Sequence, residues 1–419
     1  MQKAHPRSVA LPVASVLSAW LLLACNFGAL LFLSSNGNIT NPEMTAWPSI
    51  AKDFAWLMVL ALAGYSSSSL PRHQLLVITC IPAVLLFACI FSLLGRGEVN
   101  FDLGWIKSIK NAVLYMWAPF FLASLVDLQY ERLIRHLIAI LFVSILISVL
   151  IYFIFENGYK PPGGDLRMFG STGNPNTASL FSLLLFILVS LRFDEMNAMQ
   201  RWACLVLVFL SVYLSASFLY LSLLMVVMVY FSLLSLRDHP SKRLRRYWLH
   251  VIVAAVVSWA LVTCLVNILS FPGVPLDLRF KSALIMSESQ PGIMASDSIA
   301  FRMRTLGSFS FSWGGSATDY RQLDSALLTF AYNFGLAGAL FSLYPCFLLL
   351  FLRKANWHSG NLAVHALIVT GALMFTSSLV HYQISNFPSN VFLHLLFAFS
   401  LKEVLAQAKS SEISARASG

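Results

Sequence analysis

Charge is scarce in this sequence: Asp, Glu, Lys and Arg make up 11% of residues, against about a quarter in an ordinary soluble domain. With 58% hydrophobic residues, the composition excludes a simple water-soluble globule. Paired carboxylates at Asp-x-Asp spacing are missing from the outer polar segments, no His–Glu cluster occurs, and residues 270–323 contain no histidine. These absences argue against a metal centre, so neither a metal nor a cofactor is assigned. The 6 cysteines (Cys25, Cys80, Cys89, Cys204, Cys264, Cys346) all fall in apolar blocks without metal-ligand spacing. They read as small core residues and leave the redox compartment open. Internal repeats, heptads and low-complexity tails are also missing, which argues against solenoid and coiled-coil architectures.

What is present is a series of apolar blocks, with a mean hydropathy of +0.75, each about 20 residues long, the length that crosses a hydrocarbon core as a helix. Backbone polar groups in lipid must be paired internally. Runs such as Leu137–Phe155 and Val251–Leu269 lack the alternation of a barrel strand and read as helices. The first block, near residues 9–33, is longer than the ~7–15 residues of a signal-peptide core and reads as a retained span. The expected fold is an all-α polytopic membrane protein, residues 1–419 forming one integral membrane domain. Its spans lie near 9–33, 51–69, 74–95, 111–126, 137–155, 176–192, 202–216, 218–236, 248–269, 324–352, 362–380 and 390–406, about twelve in all. The block Trp202–Leu236 is too long for one crossing at ~1.5 Å per residue. It is split at Ser215–Ser217, and a single span there would reverse every later loop. The C-terminus from Lys402 reads as a short, frayed polar end.

The net charge of +10 invites a nucleic-acid reading, but the basic residues cluster in short loops between spans. With both termini inside, the segment Arg237–Arg246 and the residues Arg132, Arg135, Arg192 and Arg201 fall on the cytoplasmic side, as the positive-inside rule requires. Nucleic acid is therefore not an expected partner; membrane lipid is.

Two outer loops then carry the polar chemistry. In residues 156–176, Pro161-Pro162-Gly163-Gly164 forces a turn. Arg167 follows, and Gly170-Ser171-Thr172-Gly173-Asn174-Pro175-Asn176 leads into an apolar helix. Asn174 or Asn176 can cap that helix, with Pro175 in its first turn. A helix N-terminus beside an arginine suits an anion; an ordinary capped turn with Arg167 on lipid headgroups also accounts for these residues. The loop 270–323 is long and too rich in aromatics for simple disorder; it is expected to pack as short helices. Arg279, Arg302, Arg304 and Arg321 lie in it, placed either to neutralise a phosphorylated ligand or to reach headgroups. Asp324 opens the next helix as either its N-cap or a general base. His381, at the outer end of a later span, is a further substrate-binding or headgroup candidate.

The stretch Arg167-Met168-Phe169-Gly170-Ser171-Thr172-Gly173-Asn174-Pro175-Asn176 resembles the Arg-x-x-Gly…Asn-Pro-Asn signature of the bacterial O-antigen ligase and polymerase superfamily. Asp324-Ser325-Ala326-Leu327-Leu328 through Asn333, Gly335 and Gly338 resembles that superfamily's block after its large periplasmic loop, ending in Gly-x-x-Gly. The likeness covers roughly residues 160–345 by motif and the rest by architecture. It implies a fold like that of the GT-C glycosyltransferases, in the bacterial inner membrane with the active site on the periplasmic side. It also implies an undecaprenyl-pyrophosphate-linked glycan as substrate, metal-independent chemistry in which arginines hold the pyrophosphate, and a chain-length regulator protein as a partner. By position Arg302 corresponds to the family's loop arginine and Arg167 to the earlier one. Arg302 and Asp324 are the expected catalytic residues; Arg167, Arg279, Arg304, Arg321, Asn174, Asn176 and His381 are expected to bind substrate. Two departures matter. Ligases typically carry His where this chain has Asp324, which favours a polymerase over a ligase. Ser217-Phe218 stands where many members have Ser-Arg, so one site arginine is missing or is supplied by Arg279, Arg304 or Arg321. A secondary transporter or flippase is the alternative of another class.

Overall fold

A computed structural model describes residues 7–27, 42–65, 72–95, 103–126, 128–155, 158–159, 167–168, 175–215, 218–238, 242–268, 325–351, 362–380 and 388–417. The helices in chain order are α1 (Arg7–Cys25), α2 (Pro42–Tyr65), α3 (Arg72–Leu94), α4 (Leu103–Asn111), a π-helical segment (Ala112–Trp117), α5 (Ala118–Leu125) and α6 (Tyr130–Phe155). After β1 (Gly158–Tyr159) and β2 (Arg167–Met168) come α7 (Pro175–Leu191), α8 (Ala198–Ser215), α9 (Phe218–Asp238), α10 (Lys242–Ile268), α11 (Ala326–Phe351), α12 (Leu362–Val380) and α13 (Ser389–Ala417). Among the described residues the protein is all-α apart from this two-residue ladder, and a helix overlaps each expected span. Among the described residues, 4 helical segments are long and apolar enough to cross a membrane: Tyr130–Ile154, Ala198–Ser215, Arg246–Cys264 and Ala326–Pro345. Exposed apolar stripes at helical spacing run along α3 (Val84, Phe87, Phe91, Leu94) and α9 (Met225, Val226, Val229, Leu233). Such surfaces suit hydrocarbon rather than water.

The contacts divide the chain into two units. The first comprises Met1–Val16, Ala55–Tyr130 and Ile293–Gly419. Within it α11 packs on α3 and α12, α12 packs on α13, and α13 packs on α5 and the π segment. A π turn disrupts the regular i→i−4 ladder, and here two buried side chains bond its carbonyls. Tyr344 Oη donates to Met116 O at 2.9 Å and Trp56 Nε1 to Leu114 O at 2.6 Å. In the same unit Tyr130 Oη and Ser400 Oγ share a hydrogen bond of 2.8 Å, and Lys402 Nζ donates to the Val126 carbonyl at 2.6 Å. The helix expected to fray at Lys402 instead continues to Ala417. Its residues beyond Lys402 are mostly good helix formers, and Gln407 bonds Glu403 one turn back at 2.9 Å.

The second unit comprises Leu17–Phe54 and Glu131–Gly292. Here α7 packs on α8 and α9, and α8 on α10. Every residue of α7 from Thr177 to Ser190 is buried, the pattern of a helix at the centre of a bundle. Serines join it to α8: Ser179 Oγ lies 2.6 Å from Ser215 Oγ, and Ser182 Oγ donates to Ser211 Oγ at 2.7 Å. Small hydroxyl residues let helices approach closely and bond across an apolar interface. The expected split is present: α8 ends at Ser215 and α9 begins at Phe218. Asn197 caps α8, its Oδ1 accepting from the Gln200 amide at 2.8 Å.

Candidate functional site

The loop 156–176 is pinned by the two-residue antiparallel ladder, with Tyr159 opposite Arg167 and Gly158 opposite Met168. Met168 is fully buried, and β2 packs against both α7 and α8. The buried methionine anchors the strand, so the backbone of its neighbour Arg167 is held beside the helix pair. The next helix opens at Pro175, whose fixed φ suits a first helical position. Asn176 therefore lies inside the first turn rather than at the cap. An arginine-bearing strand and a helix N-terminus are thus supplied by one short segment, in the second unit.

At the other motif block, in the first unit, the helix cap is Ser325. It is fully buried, its Oγ accepts from the Leu328 amide at 3.3 Å, and it donates to the Ser378 carbonyl of α12 at 2.7 Å. The capping role weighed for Asp324 is therefore filled by its neighbour. Asp324 lies outside the described residues, as do Arg279, Arg302, Arg304, Arg321, Asn174 and His381, together with all of 270–323. The expected meeting of the two loops is therefore not among the described contacts. Further along α11, Gly335 adopts φ 66° and ψ −148°, which interrupts the helix in a region close to glycine-only. A Cβ at Gly338 would collide with the Phe330 carbonyl and come within 2.7 Å of Phe334 Cβ. The Gly-x-x-Gly pattern thus has a backbone reason at both positions. Around the break, Asn333 is fully buried and donates to Thr329 O at 2.8 Å. Trp105 of α4 packs edge-on against Phe334 at 5.4 Å.

The sequence analysis expected a span at 390–406 but gave no role to the polar residues His394 and Asn390 within it. His394 is fully buried, with Nδ1 2.6 Å from the Asn390 carbonyl and its ring against Phe120 and Tyr344. Its Nε2 and the Asn390 Nδ2 have no protein partner among the described residues. The available signal was a polar pair one turn apart in an apolar run, where an ionisable group is costly and therefore a functional candidate. Among the described residues no cluster of His, Cys, Asp or Glu could hold a metal. Cys25, Cys89 and Cys204 are buried as expected, whereas Cys80 and Cys264 face outward. No family model, no curated protein and no solved structure matches the chain.

Proposed function

We propose that the chain is a glycosyltransferase of the bacterial inner membrane, with about twelve spans, a GT-C-like architecture, both termini in the cytoplasm and its active site on the periplasmic face. Its substrates are undecaprenyl-pyrophosphate-linked oligosaccharide repeat units, polymerised into O-antigen or a related surface polysaccharide. The acceptor sugar hydroxyl attacks the anomeric carbon of the donor. A glycosidic C–O bond forms, the bond to the pyrophosphate breaks, and the hydroxyl proton passes to the Asp324 carboxylate. Arg302 and Arg167, with Arg279, Arg304 or Arg321, take up the charge of the departing pyrophosphate; Asn174, Asn176 and His381 bind substrate. Membrane-held donor and acceptor supply proximity.

The observation that supports this reading is the anchored Arg167 strand packed against α7 and α8 a few residues ahead of the N-terminus of α7, a combination suited to a pyrophosphate. Purified protein is incubated with lipid-linked repeat units alone. A ladder of products without lipid A core supports the polymerase; a strict requirement for that core makes the enzyme a ligase. Full activity in both Arg167→Ala and Arg302→Ala, at normal expression, removes the pyrophosphate assignment. A second reading, a transporter or flippase for a lipid-linked substrate, is favoured by the break at Gly335, since transporters place interrupted helices at their sites. Chain growth in detergent, where there are no two sides, excludes pure transport.

A further inference from the structure

In the second unit a groove of about 410 Å³ separates α6 from α8. Its α6 wall is a stripe at helical spacing, Arg135, Ile138, Ala139, Phe142 and Val143. From Arg135 to Val143 this wall runs about 12 Å at 1.5 Å per residue. One leaflet is about half of a ~30 Å hydrocarbon core, so the groove spans most of a leaflet. Ala139 on α6 and Ala203 on α8 are exposed, and their small side chains leave the width.

The polar residues of the groove cluster at its Arg135 end. Arg192, in the turn after α7, is buried; it donates to the Glu131 carbonyl at 2.9 Å and pairs with Glu195. That pair cancels the only carboxylate in the lining. Arg201 lies outside the lining; it donates to the Phe193 carbonyl at 3.1 Å and stacks on the Phe193 ring at 4.8 Å. Arg135 is exposed and has no ion-pair partner among the described residues. The groove therefore combines one uncompensated cation at its mouth with an apolar trough that spans most of a leaflet.

The geometry points to a binding site for an anionic phospholipid, its phosphate on Arg135 and one acyl chain along Ile138, Phe142 and Val143. A lone cation at the lipid surface favours an anionic headgroup about five-fold. The site is separate from the motif loops and does not depend on the glycosyltransferase reading, because its test uses binding alone. Delipidated protein in detergent is titrated with phosphatidylglycerol, phosphatidylcholine and glycerol phosphate, and bound molecules are counted by native mass spectrometry. Phosphatidylglycerol is expected to bind about five-fold or more tighter than phosphatidylcholine. Arg135→Gln removes that preference while keeping basal lipid binding, and Ala139→Trp, which fills the trough, loses both lipids. Thermal midpoints equal to the parent's confirm that both variants fold. If Ala139→Trp does not fold, Arg135→Gln alone decides. Equal binding of the two lipids by the parent, a preference that survives Arg135→Gln, or competition by glycerol phosphate as strong as by the lipid overturns the proposal. So does cross-linking from Ala139 that captures a protein helix instead of lipid.

Discussion

Replacing Gly335 by alanine puts a Cβ on a backbone that L-residues rarely adopt. The residue stands at φ 66°, ψ −148° inside α11, and holding a side chain there costs on the order of 1–3 kcal/mol. Relaxing to helical dihedrals would avoid that strain but would re-aim the two halves of α11, whose Phe330, Phe334 and Phe341 are all fully buried. Either route destabilises the first unit. For domains of 150–250 residues a kcal/mol shifts the midpoint by about 2–4 °C, so Gly335→Ala is expected to lower the thermal midpoint in detergent by about 2–12 °C. Gly64→Ala is the matched control. Gly64 lies in a helix with nothing within 4 Å of its would-be Cβ, and an alanine there stabilises by about 0.5–1 kcal/mol. The assay is a thermal unfolding curve of each purified variant in one detergent, followed by tryptophan fluorescence. A Gly335→Ala midpoint equal to or above the parent's, with Gly64→Ala behaving as stated, would refute the assignment of the break as a strained, glycine-dependent feature.

The remaining expectations concern single hydrogen bonds and the division of labour at the start of α11. Ser325→Ala removes both a helix cap and the bond to the Ser378 carbonyl, and is expected to cost about 0.5–2 kcal/mol by denaturation midpoint. Asp324→Asn leaves that cap in place; its midpoint should stay within about 0.5 kcal/mol of the parent's while chain growth in the glycan assay falls at least about a hundred-fold. Tyr344→Phe takes the 2.9 Å bond away from the Met116 carbonyl and should cost about 1–3 kcal/mol by the same denaturation measurement. Ser182→Ala with Ser211→Ala should cost little, on the order of 0.6 kcal/mol for one interhelical bond, read as the coupling in a double-mutant cycle.

Helix positions were readable because the apolar residues come in blocks of about 20, and the small residues Ser215, Ala216 and Ser217 lie in sequence from the end of α8 to the start of α9. The π segment at Ala112–Trp117 was not readable: its residues run without a break into the equally apolar α5, and the change lies in which carbonyl each amide meets. The same holds for α11, which stays apolar across the break, so hydropathy passes over Gly335 and only the spacing to Gly338 hinted at it. The continuation of α13 to Ala417 was missed because hydropathy falls at Lys402 while helix propensity does not. At the candidate site, the start of α7 was legible from Pro175. The cap of α11 went to Ser325 rather than Asp324, a one-residue shift that residue preference alone does not decide, since both types cap well.

The burial of α7 from Thr177 to Ser190 bears on how such a chain would assemble in a membrane. When α7 has been synthesised and α8 has not, Leu180, Leu183, Leu184 and Ile187 meet acyl chains, and Ser179, Ser182 and their neighbours have no partner across the interface. The helix becomes an interior element only once α8 and α9 have followed it out of the ribosome. The order of synthesis therefore imposes an order of assembly. Because lipid is as apolar as leucine, the later helices displace it from α7 through packing and hydroxyl bonds, with little hydrophobic drive to help. A chain truncated after Leu191 and released from the ribosome is expected to hold α7 as a lipid-facing span that chaperones and proteases can still recognise as unfinished.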